Sequence, residues 1–166
     1  PSAGVATTVL NDSPPPEKVL IVGTSVDAQD QPVFESLAAA VDFATRDEDL
    51  ASHPVAIELR FNGPSRKLPL LVSAEGLTIR AGEGFAPVLR WQPQTDQPAM
   101  ITLSGGELTL QDIHIDVTLP EFFVDRWALF GLEDVRLLQL RGCKLTIRNN
   151  RRSRRAYHSD VVFFNV

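Results

Sequence analysis

The residues best placed to do chemistry lie in the pentapeptide DIHID, residues 112–116. On a β-strand, residues two apart share one face. Asp112, His114 and Asp116 would then line up, with Ile113, Ile115 and Val117 opposite. Two carboxylates around an imidazole can bind a metal ion or move protons. These three are the catalytic candidates, and no metal-ligand set is assigned. A structural role competes for Asp112: in the repeat described below it falls opposite Asn149, where the chain turns, and it suits a turn hydrogen bond there.

Two further groups could bind a ligand. The segment TLPEFFVDRW, residues 118–127, carries Phe122, Phe123 and Trp127 beside Glu121, Asp125 and Arg126. Aromatic faces next to carboxylates suit a sugar ring, and loops on rigid scaffolds often bind. The same three aromatics could instead fold back as a small satellite core. The second group is basic. Between Arg136 and Ser159 stand Arg136, Arg141, Lys144, Arg148, Arg151, Arg152, Arg154 and Arg155, with no carboxylate. With a net charge of −5 overall, the rest of the chain sums to −13. Arginine forks recognise carboxylate, sulfate and phosphate. Arg151, Arg152, Arg154 and Arg155 are therefore candidates for an acidic polymer, and an acidic polysaccharide or a protein surface is the expected partner. Aromatic interleaving is limited to Tyr157, which argues against nucleic-acid recognition.

Composition narrows the classes. The length of 166 residues and 43% apolar content suit one domain with a sizeable core. The single cysteine, Cys143, excludes an intrachain disulfide and a multi-cysteine metal site. No apolar run approaches the roughly 18 residues needed to span a membrane. GxSxG, a phosphate-cradling glycine loop followed by lysine, and HExxH are all missing. No cofactor is evident.

The elements that must position these groups can be read in order. Residues 1–18, with Pro14, Pro15 and Pro16, form a flexible linker. Residues 19–24 read as a strand. A helix is expected over about 32–45, capped by Asp30, with Phe34, Leu37, Ala38, Val41 and Ala44 at helical spacing. From Val55 the period changes to two. AIELRF alternates and stops at Asn62-Gly63-Pro64. Short strands follow at 68–73, 77–81, 87–91, 99–104, 108–111, 113–117, 127–132, 135–140, 145–148 and 161–166.

A strand–turn–strand phrase recurs within them: LLVSAEGLTIR at 70–80, MITLSGGELTLQ at 100–111 and LLQLRGCKLTIR at 137–148. The last two copies align without a gap, 37 residues apart, and the first needs one deletion. This alignment stacks Leu77, Leu108 and Leu145, and beside them Ile79, Leu110 and Ile147. Thr78, Thr109 and Thr146 point outward between them. Such repeats indicate stacked units, each too small to bury its own apolar face. The expectation is a mainly β fold: a right-handed parallel β-helix, or solenoid, of about three to four coils with one N-terminal capping α-helix. Coil spacings of 31 and 37 residues place the main insertion at 118–127.

The helix with SLAAAVDFA, then IELRFNGP, then LTIR-type strands resembles the opening of the pectin-lyase-like right-handed parallel β-helix superfamily. The resemblance covers about 19–166 and implies that the helix caps one end of the coil. It also implies a polysaccharide context, with calcium held by carboxylates in the superfamily's lyases. None of their catalytic motifs can be matched to residues here. The expected function is a non-catalytic binding or scaffold module of a larger, extracytoplasmic protein, with 19–166 a C-terminally truncated fragment. The alternative is a partial or degenerate polysaccharide lyase or hydrolase whose active site lies in further coils. Uncapped strand edges would also allow end-to-end self-association.

Overall fold

The structure, a computed structural model, describes residues 16–24, 30–51, 53–66, 69–73, 75–93, 98–119, 126–149 and 160–166. It is mainly β, with three parallel sheets. The first sheet holds β1 (Lys18–Gly23), β2 (Val33–Phe34), β3 (Val55–Arg60), β6 (Leu77–Ala81), β9 (Glu107–Gln111) and β12 (Leu137–Arg141). The second holds β4 (Gly63–Arg66), β7 (Pro87–Trp91), β10 (His114–Leu119) and β13 (Lys144–Asn149). The third holds β5 (Leu70–Val72), β8 (Ala99–Ser104), β11 (Arg126–Glu133) and β14 (Asp160–Asn165). From β3 on, the chain visits the first, second and third sheets in turn, and repeats that circuit to β14.

Apolar side chains at alternate positions stack along the interior. In the first sheet Val55, Leu77, Leu108 and Leu138 form one row, and Ile57, Ile79, Leu110 and Leu140 the next. In the second, Leu89, Ile115 and Leu145 are aligned. In the third, Leu70, Ile101, Phe130 and Phe164 continue the pattern. The middle members are sealed: Ile57, Ile79, Leu108 and Leu110 have no solvent exposure. The last members are open, with Leu140, Leu145, Ile147 and Phe164 between 38% and 51% exposed. No strand pairs with the far edges of β12, β13 and β14 among the described residues.

This register corrects the sequence alignment. Leu108 lies beside Leu138, and Leu145 belongs to the second sheet beside Ile115. Along the first sheet, 55 pairs with 77, 77 with 108 and 108 with 138, so the offsets are 22, 31 and 30. The offset of 37 joined strands of different sheets. Of the expected insertion at 118–127, residues 120–125 lie outside the described ones. Thr118 and Leu119 complete β10, while Arg126 and Trp127 open β11.

Corners explain the confusion. Asp112 and Gly142 occupy equivalent corners after β9 and β12, at φ 56° and 59°. Gly105 and Asp134 do the same before β9 and β12, at 71° and 53°. Only glycine enters this left-handed region freely, and aspartate is among the few other residues that tolerate it. A Cβ on Gly142 would run into the Asp112 carboxylate.

The helix is shorter than its periodicity suggested. α1 spans Leu37–Arg46, and Ser36 is its N-cap, its hydroxyl accepting from the Ala39 N–H at 3.2 Å. Asp30 is no cap: it sits in a left-handed turn, and Val33–Phe34 pairs with β1 as β2. Leu37, Ala40, Val41 and Ala44 form the buried face, which packs on β1, β2, β3 and β5. A single turn, α2 (Glu48–Ala51), follows. β3 ends at Arg60, before Asn62-Gly63-Pro64 as expected, but Pro64 then lies inside a further short strand, β4. β4 is at the edge of its sheet, where a missing N–H is tolerated. Among the described residues, no helix is long and apolar enough to cross a membrane.

A matched pair of substitutions tests this packing. Leu108→Ala removes a sealed member of a row and is expected to cost about 2–5 kcal/mol in urea unfolding. Thr109→Ala, on the outer face of the same strand, should cost less than about 1 kcal/mol. Equal losses would contradict the interior assignment.

Candidate functional site

β10 brings its polar residues onto the outer face of the second sheet. His114 is aligned with Val88 on one side and Lys144 on the other. Two residues on, Asp116 is aligned with Arg90 and Thr146, and after it Thr118 with Arg148. Asp116 faces outward yet is only 1% exposed, because two guanidinium groups cover it. Arg90 donates from Nε and Nη2 to Oδ2, both at 3.3 Å. Arg148 donates from Nε to Oδ1 at 2.7 Å. Burial pushes the Asp116 carboxyl up, but the hydrogen bonds and charges of Arg148 and then Arg90 outweigh it. The carboxyl is held below the usual aspartate range.

Each of the three catalytic candidates has its own partner. Asp112 occupies the corner: its N–H donates to the Arg141 carbonyl at 2.9 Å, and its carboxylate accepts from Gln111 Nε2 at 3.2 Å. This is the turn role, with Gly142 rather than Asn149 as its counterpart. His114 Nε2 meets Thr146 Oγ1 at 2.9 Å. Asp116 is committed to its arginines, and a carboxylate held low by two cations is a weak proton acceptor. Among the described residues, no three His, Cys, Asp or Glu side chains gather as a metal site.

The binding candidates fall differently. Trp127 is 1% exposed and meets Trp91 edge-on at 5.3 Å, so its ring belongs to the core and offers no face to a ligand. Phe122, Phe123, Arg151, Arg152, Arg154 and Arg155 lie outside the described residues. Of the other cations in the basic stretch, Arg136 pairs with Glu75 at 2.5 Å and Glu107 at 3.6 Å. This bridge borders a groove of 390 Å³ on the first sheet, lined by His53, Glu75, Thr78, Glu107 and Thr109. Arg141 and Lys144 are exposed and form no ion pair among the described residues.

Sequence reasoning missed Arg90 as a site residue and missed the grip of Arg148 on Asp116. An offset of 30 between β10 and β13 was the signal that would have found the latter, since it sets Asp116 beside Thr146.

A second carboxylate is bracketed in the same way on the first sheet. Glu58 accepts from Arg60 Nη2 at 2.9 Å and from Arg80 Nη2 at 3.0 Å. Arg80 also reaches Glu17 at 2.9 Å, so two carboxylates there answer two arginines.

Compared with known proteins, the chain matches no family model, no curated protein and no solved structure.

Losses within the Asp116 cluster should not add. Arg90→Ala with Arg148→Ala removes the cover as well as the charges, so the Asp116 carboxylate returns to water and the cost should stay near about 1–2 kcal/mol. Arg148→Ala alone leaves the carboxylate partly covered with one partner, and should cost nearly as much as the double variant. Asp116→Asn frees two half-exposed arginines and should cost a similar amount, about 1–2 kcal/mol. The pH dependence has a fixed sign. The folded pKa lies below the unfolded value of about 3.9, so the contribution is present above that value and is lost as pH falls through the folded one. In urea melts, the gap between the native chain and Asp116→Asn should narrow on acidification from pH 6 to below about pH 4.

Proposed function

We propose that this chain is a right-handed parallel β-helix of the pectin-lyase-like kind, acting as a non-catalytic binding or scaffold module of a larger protein. Its ligand is an acidic polymer, with uronate-bearing or sulfated polysaccharide as the leading class. One observation carries this reading: cations concentrate on the outer surface of the last circuit. Arg141, Lys144 and Arg148 stand exposed on β12 and β13. The sequence continues directly into Arg151, Arg152, Arg154 and Arg155.

The architecture supports such a role. Successive outward positions along one strand lie about 6.6 Å apart, which spaces Lys144 and Arg148 along β13 for an extended ligand. Repeated weak contacts along a polymer add up to useful avidity without a deep pocket. Guanidinium groups match carboxylate and sulfate geometry with two parallel hydrogen bonds.

Retention on immobilised polygalacturonate and dextran sulfate, with neutral dextran as control, tests the reading. The chain should bind the acidic polymers at low salt and elute as salt rises, since screening shortens the reach of exposed charges. Replacing Arg151, Arg152, Arg154 and Arg155 together with Ala should weaken binding by at least about tenfold, which is about 1.4 kcal/mol. Unchanged retention in that variant, or equal retention on neutral dextran, would overturn the proposal.

A further inference from the structure

Arg90 and Arg148 have hydrogen-bonding capacity that Asp116 does not use. A guanidinium carries five N–H donors. Asp116 takes Nε and Nη2 of Arg90 and Nε of Arg148. Nη1 of Arg90 and both terminal nitrogens of Arg148 have no other partner among the described residues. Both side chains keep an open side, at 44% and 53% exposure. The three groups together carry one surplus positive charge. Lys144 adds another on the neighbouring row, two residues before Thr146 on β13.

The bracketed glutamate of the first sheet shows what a balanced version looks like. There Arg80 is shared between Glu58 and Glu17, and Arg60 also reaches Gln31 at 3.5 Å. Charges cancel, and Arg60 and Arg80 are only 17% and 26% exposed. Among the described residues, the second sheet brackets its aspartate from two neighbouring strands with no second carboxylate to balance the arginines.

We propose that Arg90 and Arg148 form a subsite for a single oxyanion, a carboxylate or a sulfate-type group, on the outer face of the second sheet, with Asp116 as the positioning residue. This rests on the reading of the chain as a binding module for acidic polymers and names the place where one acidic group docks. Asp116 grips one arginine with each oxygen, so the two forks are held close together despite their like charge. That fixed arrangement removes much of the ordering cost that two free arginines would face on binding. The oxyanion is held by the outer N–H groups of the two forks, and Lys144 adds long-range attraction.

The test uses the full chain and follows the arginine Nε–Hε signals by ¹⁵N NMR, assigned with Arg90→Lys and Arg148→Lys. Sodium sulfate and sodium glucuronate are titrated against sodium chloride at matched ionic strength. The signals of Arg90 and Arg148 should shift saturably with an oxyanion and not with chloride, while those of Arg60 and Arg80 stay still. The oxyanion that saturates at the lower concentration identifies the source. Asp116→Glu keeps the charge and displaces both forks by one methylene, and should weaken that binding at least about tenfold. If Asp116→Glu does not fold, Arg148→Lys decides: it keeps the charge, loses the fork, and should show the same loss. No saturable shift with either oxyanion would overturn the subsite, as would native-like binding by the deciding variant. Polymer retention without these shifts would overturn the subsite and leave the binding module standing. Shifts without polymer retention would support the subsite and sink the polymer reading.

Discussion

Register between successive circuits carries the rest of this structure. No single circuit can bury its own Leu and Ile residues, and each strand finds its hydrogen-bond partners only on the circuits before and after it. Side chains alternate with a period of two, so a slip of one residue would turn Leu108 and Leu110 outward and bring Thr109 into the core. The interior rows from Val55 to Leu138 and from Ile57 to Leu140 hold the strands against that slip. Left-handed corners at Gly105, Asp112, Asp134 and Gly142 fix where β9, β10, β12 and β13 begin.

The candidate site is a product of the same register. Arg90, Asp116 and Arg148 come from three successive strands of one sheet, β7, β10 and β13. None is near another in sequence. Their meeting converts an outward aspartate into a buried one without an unpaired charge, which is the condition for a carboxylate to be tolerated away from water. A pair of arginines with donors to spare is then left at the surface. The polar chemistry of this face thus follows from stacking, as the apolar core does.

Much of this was legible in the sequence, and the failures have physical causes. The Leu77–Leu108 pairing was correctly read, while the deletion expected in the first copy is not there: Leu70 with Ile101 and Leu77 with Leu108 keep one offset of 31. Leu145 was misplaced because every corner imposes the same local phrase. Gly106 precedes ELTL in the first sheet, and Gly142 shortly precedes KLTI in the second. A left-handed corner followed by alternating residues says that a strand starts, but not which sheet receives it. The helix face of Leu37, Val41 and Ala44 was visible from spacing. Its start was not, since Ser36 and Asp30 are both good caps and only the pairing of Val33–Phe34 with β1 decides between them. Trp127 carried two readings, a ligand platform beside Asp125 and Arg126 or part of a small satellite core. The packed reading holds: Trp91, on a different sheet, meets it edge-on in the main core.

The register itself can be measured directly. In a Cys143→Ser background, Thr109→Cys with Gln139→Cys places two thiols on aligned residues of adjacent strands. Aligned strands lie about 4.8 Å apart, near the lower end of the range a disulfide spans. The paired variant should form an intramolecular disulfide under mild oxidation of the folded monomer, seen as a mobility shift that reductant reverses. Thr109→Cys with Thr146→Cys, the pair that the offset of 37 would join, should not. Cross-linking of the second pair and not the first would contradict the stacking on which the fold and the arginine cluster both depend.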